Sequence, residues 1–113
     1  MSEPIKLSVL EVRLFERDVT LRMPFRFGVT TLRESPQIFA RVRIRLSDGR
    51  EGWGLSAEML APKWFDKNLE LSNEDNFNQL RHAVFTASKL YQNSAATTTT
   101  TAFGLFRSNY DEQ

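Results

Sequence analysis

The chain has 113 residues, 41% of them apolar, a formal net charge of +1 and no cysteine. That is one domain's worth of sequence, apolar enough to bury a core. Disulfides, thiolate metal sites and a cysteine nucleophile are excluded, and no run approaches the roughly 20 apolar residues of a membrane helix.

Met1-Ser2-Glu3-Pro4 has neither a basic lead nor an apolar signal region. A cytoplasmic protein with no membrane partner is the expectation. Residues 1–50 carry ten Arg/Lys against six Asp/Glu, whereas residues 51–113 carry five against eight. The near-neutral sum is no polyanion footprint, so no nucleic-acid partner is expected.

Residues 5–22 read as extended. Leu10, Val12 and Leu14 alternate with Glu11 and Arg13, while Ile5, Leu7 and Val9 alternate in the opposite phase. That phase switch predicts a bulge or a late strand start near Val9. Pro24 and Gly28 break the pattern, and residues 24–36 are predicted to be a loop closed by Ser35-Pro36. The next strand is the clearest: Ile38, Ala40, Val42, Ile44 and Leu46 face one way, and Phe39, Arg41, Arg43 and Arg45 the other. Asp48-Gly49 is a hairpin signal. Residues 51–57 return as a partner strand in which Gly52 and Gly54 suggest close backbone approach or a bulge.

Residues 58–71 are predicted to be a second loop. Ser72 and Asp75 then open a helix in capping-box fashion, with Asp in place of the usual Glu. Phe77, Leu80, Val84, Ala87 and Tyr91 have the spacing of a buried helix face running to about Gln92. Five threonines follow, a poor helix composition in isolation. A weak second helix is read over residues 95–108. The fold class is therefore α+β: a three-stranded antiparallel sheet followed by one or two helices.

This layout, with Pro24-Phe25-Arg26-Phe27-Gly28 before a long strand and Asp48-Gly49-Arg50-Glu51-Gly52-Trp53-Gly54 at a hairpin, resembles the N-terminal capping domain of the enolase superfamily, of the mandelate racemase/muconate lactonizing type. The resemblance covers residues 5–92. It implies a lid that leans over the mouth of a separate β/α barrel and selects the substrate. The barrel would hold magnesium and abstract a proton beside a carboxylate. Many members carry a glutamate directly after the glycine-x-glycine strand; here Leu55 follows Gly54 and Glu58 comes later.

The resemblance places the lid loops at residues 24–34 and 55–67. Its candidate substrate contacts are Arg26, Phe27, Glu58, Met59 and Lys63. Arginine can fork onto a carboxylate and phenylalanine can wall a pocket, although Phe25 or Phe27 anchoring the loop to the sheet is an equal reading. No catalytic residue and no cofactor are expected in this chain, since magnesium would belong to a barrel of at least ~200 further residues. The chain is then a fragment-like capping domain, inactive alone, whose partner is that barrel. Its apolar Trp64, Phe65, Phe103, Leu105 and Phe106, uncovered without the barrel, predict association with further copies. A stand-alone binding module and a truncated remnant are the rival readings.

Three further features are weighed on their residues. Trp64 packed against the sheet edge and Phe65 at an interface is favoured over a shared aromatic lip. His82 falls off the helix's apolar face and is expected to be solvated. The Arg41–Arg43–Arg45 stripe, with Phe39 its one adjoining aromatic, suits a solvated face or one salt-bridged to a neighbouring domain better than a phosphate site.

Overall fold

The computed structural model describes residues 4–95 and 100–112. Strands β1 (Leu7–Phe27), β2 (Thr30–Leu46) and β3 (Glu51–Met59) form an antiparallel meander in the order β1-β2-β3. Helices α1 (Asn73–Ala95) and α2 (Ala102–Asn109) follow, and a short 3-10 turn covers Tyr110–Glu112. The chain is an α+β protein with its sheet first and its helices after.

The phase switch near Val9 is a bulge, because the register slips between Val9 and Glu11. Beyond it, Val12 faces Val42 and Leu14 faces Ala40 across the first ladder. These side chains meet Val84, Ala87 and Tyr91 of α1 around an apolar gap of about 270 Å³. The inner layer is thus incompletely filled.

The expected loop over residues 24–36 is instead the end of a long hairpin. Strand β1 runs to Phe27, and Thr30 begins β2. A wide bulge intervenes between the Thr20–Glu34 and Phe25–Leu32 pairs. Pro24, which has no N–H to give a ladder, falls in this unpaired stretch. Gly28, at φ 56°, takes the first turn position, where a type II′ hairpin turn requires glycine. Pro36 stays in register opposite Asp18, and its carbonyl accepts the Leu60 N–H at 3.0 Å.

The Asp48-Gly49 turn forms where the sequence places it. An Asp48 carboxylate oxygen accepts the Arg50 N–H at 3.0 Å, and Gly49 has φ 91°. The β2–β3 ladder is unbroken from Gln37–Met59 to Arg45–Glu51. No atom approaches within 4 Å of a Cβ built on Gly52 or Gly54. Neither a bulge nor close backbone contact accounts for these glycines.

Helix α1 opens with a reciprocal capping box. Ser72 Oγ accepts the Asp75 N–H at 3.0 Å, and Asp75 Oδ2 accepts the Ser72 N–H at 2.9 Å. Arg81 then ties the helix to β1, its guanidinium donating to both carboxylate oxygens of Glu16 and to Glu74. Residues 96–99, most of the threonine run, lie outside the described residues. Thr100 pairs with Leu7 in an isolated antiparallel bridge, and Thr101 caps α2 by accepting the Gly104 N–H. The second helix is therefore shorter than 95–108. Leu105, expected to be uncovered, is buried.

The protein is long for its mass, with a radius of gyration of 17.0 Å. A compact chain of this length has about 13 Å. Its accessible surface is 8249 Å², against about 6,400 Å² for a typical monomer of this mass. The hairpin of β1 and β2 extends beyond the layer that α1 covers. No described helix is long and apolar enough to cross a membrane.

Candidate functional site

The hairpin tip and the segment after β3 meet in a cleft of about 700 Å³. Phe27, Gly28, Val29 and Thr30 line it from the hairpin, and Lys63, Trp64, Lys67 and Leu69 from the segment. The Trp64 ring stands edge-on to Phe27 with centroids 5.3 Å apart, and Phe25 lies 5.7 Å from Phe27. Trp64 remains 67% exposed. Its ring thus touches the end of the sheet through Phe27 while most of it faces solvent.

The segment owes its shape to Lys63, the one described non-glycine residue with positive φ, at 61°. That conformation costs about 1–3 kcal/mol and needs support from its surroundings. Asn76, which is 0% exposed, supplies the support. Its Oδ1 accepts the Lys63 backbone N–H at 3.1 Å and the Lys63 Nζ at 2.9 Å. Lys63 Nζ also donates to the Leu71 carbonyl at 2.6 Å. Asn76 Nδ2 donates to Gln79 Oε1, and Gln79 Nε2 to Asp66 Oδ2, each at 2.9 Å. The Gln79 bond, with the Asn68 N–H and nearby Lys63, holds the Asp66 carboxyl below its ordinary pKa. The first turn of α1 therefore braces one wall of the cleft.

The five residues named from sequence separate. Phe27 and Lys63 line the cleft together. Arg26 pairs with Thr31, one position out of phase with Phe27, so it falls on the reverse face of the hairpin. Glu58 and Met59 end β3 opposite Ile38 and Gln37 and do not line the cleft. Glu58 is exposed, and its carboxylate accepts the Met59 N–H at 3.3 Å. Val29, Lys67, Leu69 and the bracing Asn76 are additions. Asn76 had a signal: it lies four residues before Leu80 and so on the apolar stripe of α1, where a polar side chain needs a partner.

Lys67 gives the cleft cationic character beside apolar Phe27, Val29, Trp64 and Leu69, while the Lys63 ammonium is largely engaged by Asn76 and Leu71. That combination suits an organic anion with an apolar body. Among the described residues, no three His, Cys, Asp or Glu side chains gather to ligate a metal ion. A magnesium ion does not fit the side chains of this site. His82 is exposed beside Phe85 and Arg81, away from the cleft.

No protein-family model, curated protein or solved structure gives a match to this chain.

Proposed function

We propose that this protein is a substrate-recognition lid: a capping domain of the enolase-superfamily kind, which binds a small organic carboxylate and closes it against a barrel supplied by another domain or chain. The observation that carries the reading is the meeting of the two segments assigned as lid loops. The hairpin tip and residues 63–69 share one cleft with an exposed Trp64 ring and the Lys67 cation.

The cleft is open and supplies only one wall of a closed site. A ligand of about eleven heavy atoms at about 0.3 kcal/mol per atom gives a dissociation constant in the millimolar range. Chemistry and metal belong to the barrel in this reading, and closure excludes water from the reacting centre. The test is an equilibrium titration of the Trp53→Phe protein, in which Trp64 is the only tryptophan. Mandelate should change Trp64 fluorescence saturably in the millimolar range. Its neutral amide should bind at least tenfold more weakly. Equal responses would remove the carboxylate from the proposal.

A further inference from the structure

The outer face of the sheet is a second, separate surface, which owes nothing to the cleft. The ladder register places Glu11, Arg43 and Trp53 in one row across the three strands, Arg13, Arg41 and Leu55 in the next, and Phe15, Phe39 and Ala57 in the one after. Arg17 and Arg45 extend the same face at its two ends, opposite Gln37 and Glu51. Five arginines thus share a face with two glutamates. Among the described residues, α1 lies against β1 from the other side and α2 against α1, so no helix covers this one.

Trp53 is the centre of the arrangement. The guanidinium carbons of Arg41, Arg13 and Arg43 lie 4.1, 5.4 and 5.8 Å from its ring centroid. Arg17 stands 5.4 Å over Phe39 in the same manner. The sequence shows Phe39 beside the arginine stripe; the aromatic that organises it is Trp53, from the next strand. A guanidinium set over a ring has its stem ordered. Arg13, Arg43 and Arg45 also pair with Glu11 or Glu51 at 2.9–3.5 Å, while Arg41 forms no ion pair among the described residues and keeps its N–H edge for a planar carboxylate. Trp53 is still 41% exposed, and Leu55 beside it 68%. The face therefore offers ordered cations together with apolar contact area.

We propose that this face docks an acidic polypeptide segment carrying apolar side chains between its carboxylates. Charge complementarity selects the acidic partner. Two features favour polypeptide over nucleic acid. Glu11 and Glu51 lie within the stripe, 3.5 Å from Arg43 on either side, where they would repel a phosphate chain. Arg41 occupies the stacking surface of Trp53 that a base would need. Strands about 4.8 Å apart with about 3.3 Å per residue make the face roughly 25 by 15 Å. That is about half of the roughly 800 Å² per partner of a stable complex, so the contact is weak and reversible.

The test uses the intact protein and a 14-residue peptide of alternating Glu and Leu. Controls are a Lys-Leu peptide of the same length and single-stranded dT12. Trp53 fluorescence is read in the Trp64→Phe protein, and binding is repeated by calorimetry on the unaltered protein. The Glu-Leu peptide should bind with a dissociation constant of tens of micromolar at 50 mM salt, and at least fivefold more weakly at 300 mM. Arg13→Ser with Arg41→Ser should weaken it at least tenfold. Arg41→Lys, which keeps the charge and a flexible cation, should lose about threefold and guards against misfolding of the double variant. Removing three arginines from the hairpin, Arg22→Ser, Arg26→Ser and Arg33→Ser, should change it by less than twofold. Equal losses for the two arginine sets would overturn the proposal, since the attraction would then be diffuse. So would tighter binding of dT12, or an oligomer of the protein itself that dissolves on removing Arg13 and Arg41.

Discussion

Asn76 holds Lys63 in a left-handed backbone conformation by accepting two hydrogen bonds from it, one from the main-chain N–H and one from the ammonium. The cleft wall that presents Trp64 and Lys67 is built on this one buried carboxamide. Asn76→Ala leaves the Lys63 N–H without its acceptor in a partly buried place. A loss of about 1–3 kcal/mol is expected. Denaturant unfolding with an unchanged m-value would check it. Lys63→Gly relieves the backbone conformation but deletes the ammonium, so it should destabilise less than Asn76→Ala. If the glycine variant is the weaker of the two, the brace has been misjudged.

The acid limb of stability involves Glu16. The hydrogen bonds and charge of Arg81 hold its carboxyl below the ordinary glutamate pKa. A lowered folded-state pKa contributes stability above the unfolded value, near 4.5, that is lost as pH falls through the lowered one. The pair is about one-third exposed, so roughly 0.5 kcal/mol is at stake. Glu16→Gln should therefore be less stable than the unaltered protein at pH 7, and the difference should shrink as pH falls below about 4.5 and through the lowered pKa. A constant difference across that range would show that the pair does not act through this titration.

Much of the fold is legible because local chemistry and tertiary demand agree. The Val9 bulge, the Asp48-Gly49 turn and the Ser72–Asp75 box are each written in adjacent residues. The hairpin is not, because Pro24 and Pro36 look like strand breakers. One falls in an unpaired bulge, and the other stays in register while its carbonyl serves Leu60. The site is half legible for a similar reason. Phe27 and Lys63, named through the resemblance, do line one cleft, although Phe27 ends a strand and not a loop. The pairing phase that turns Arg26 away, and the helix turn that brings Asn76 beneath Lys63, depend on neighbours distant in sequence.

Magnesium should not bind tightly. Three of the described carboxylates are spent on separate local bonds, Asp48 to Arg50, Asp75 to Ser72 and Asp66 to Gln79 and Asn68, and no three gather at one place. Calorimetry with magnesium chloride should show no micromolar affinity, and millimolar magnesium should leave the melting temperature unchanged. The purified chain should likewise turn over no mandelate, muconate lactone, acid sugar or dipeptide.

The excess surface predicts concentration-dependent association. Phe103, Phe106 and Tyr110 form an exposed ladder along α2 and the turn after it, with successive centroids 6.2 and 5.6 Å apart. Apolar patches of this kind associate, and salt screens such contacts little. Sedimentation at several concentrations should show oligomers that persist in high salt and diminish with Phe103→Ser and Phe106→Ser. A monomer at every concentration, melting cooperatively at high temperature, would favour a self-sufficient binding module.

The central claim is that the cleft between the hairpin tip and residues 63–69 recognises a carboxylate. Amide chemical-shift mapping with mandelate tests it most directly, because it reports both place and charge preference. The account predicts saturable shifts confined to residues 27–30 and 63–69, with the Trp64 indole N–H among the largest, and no comparable shifts with the neutral amide. Shifts centred on the outer sheet face around Arg41 and Trp53, or equal responses to acid and amide, would contradict it.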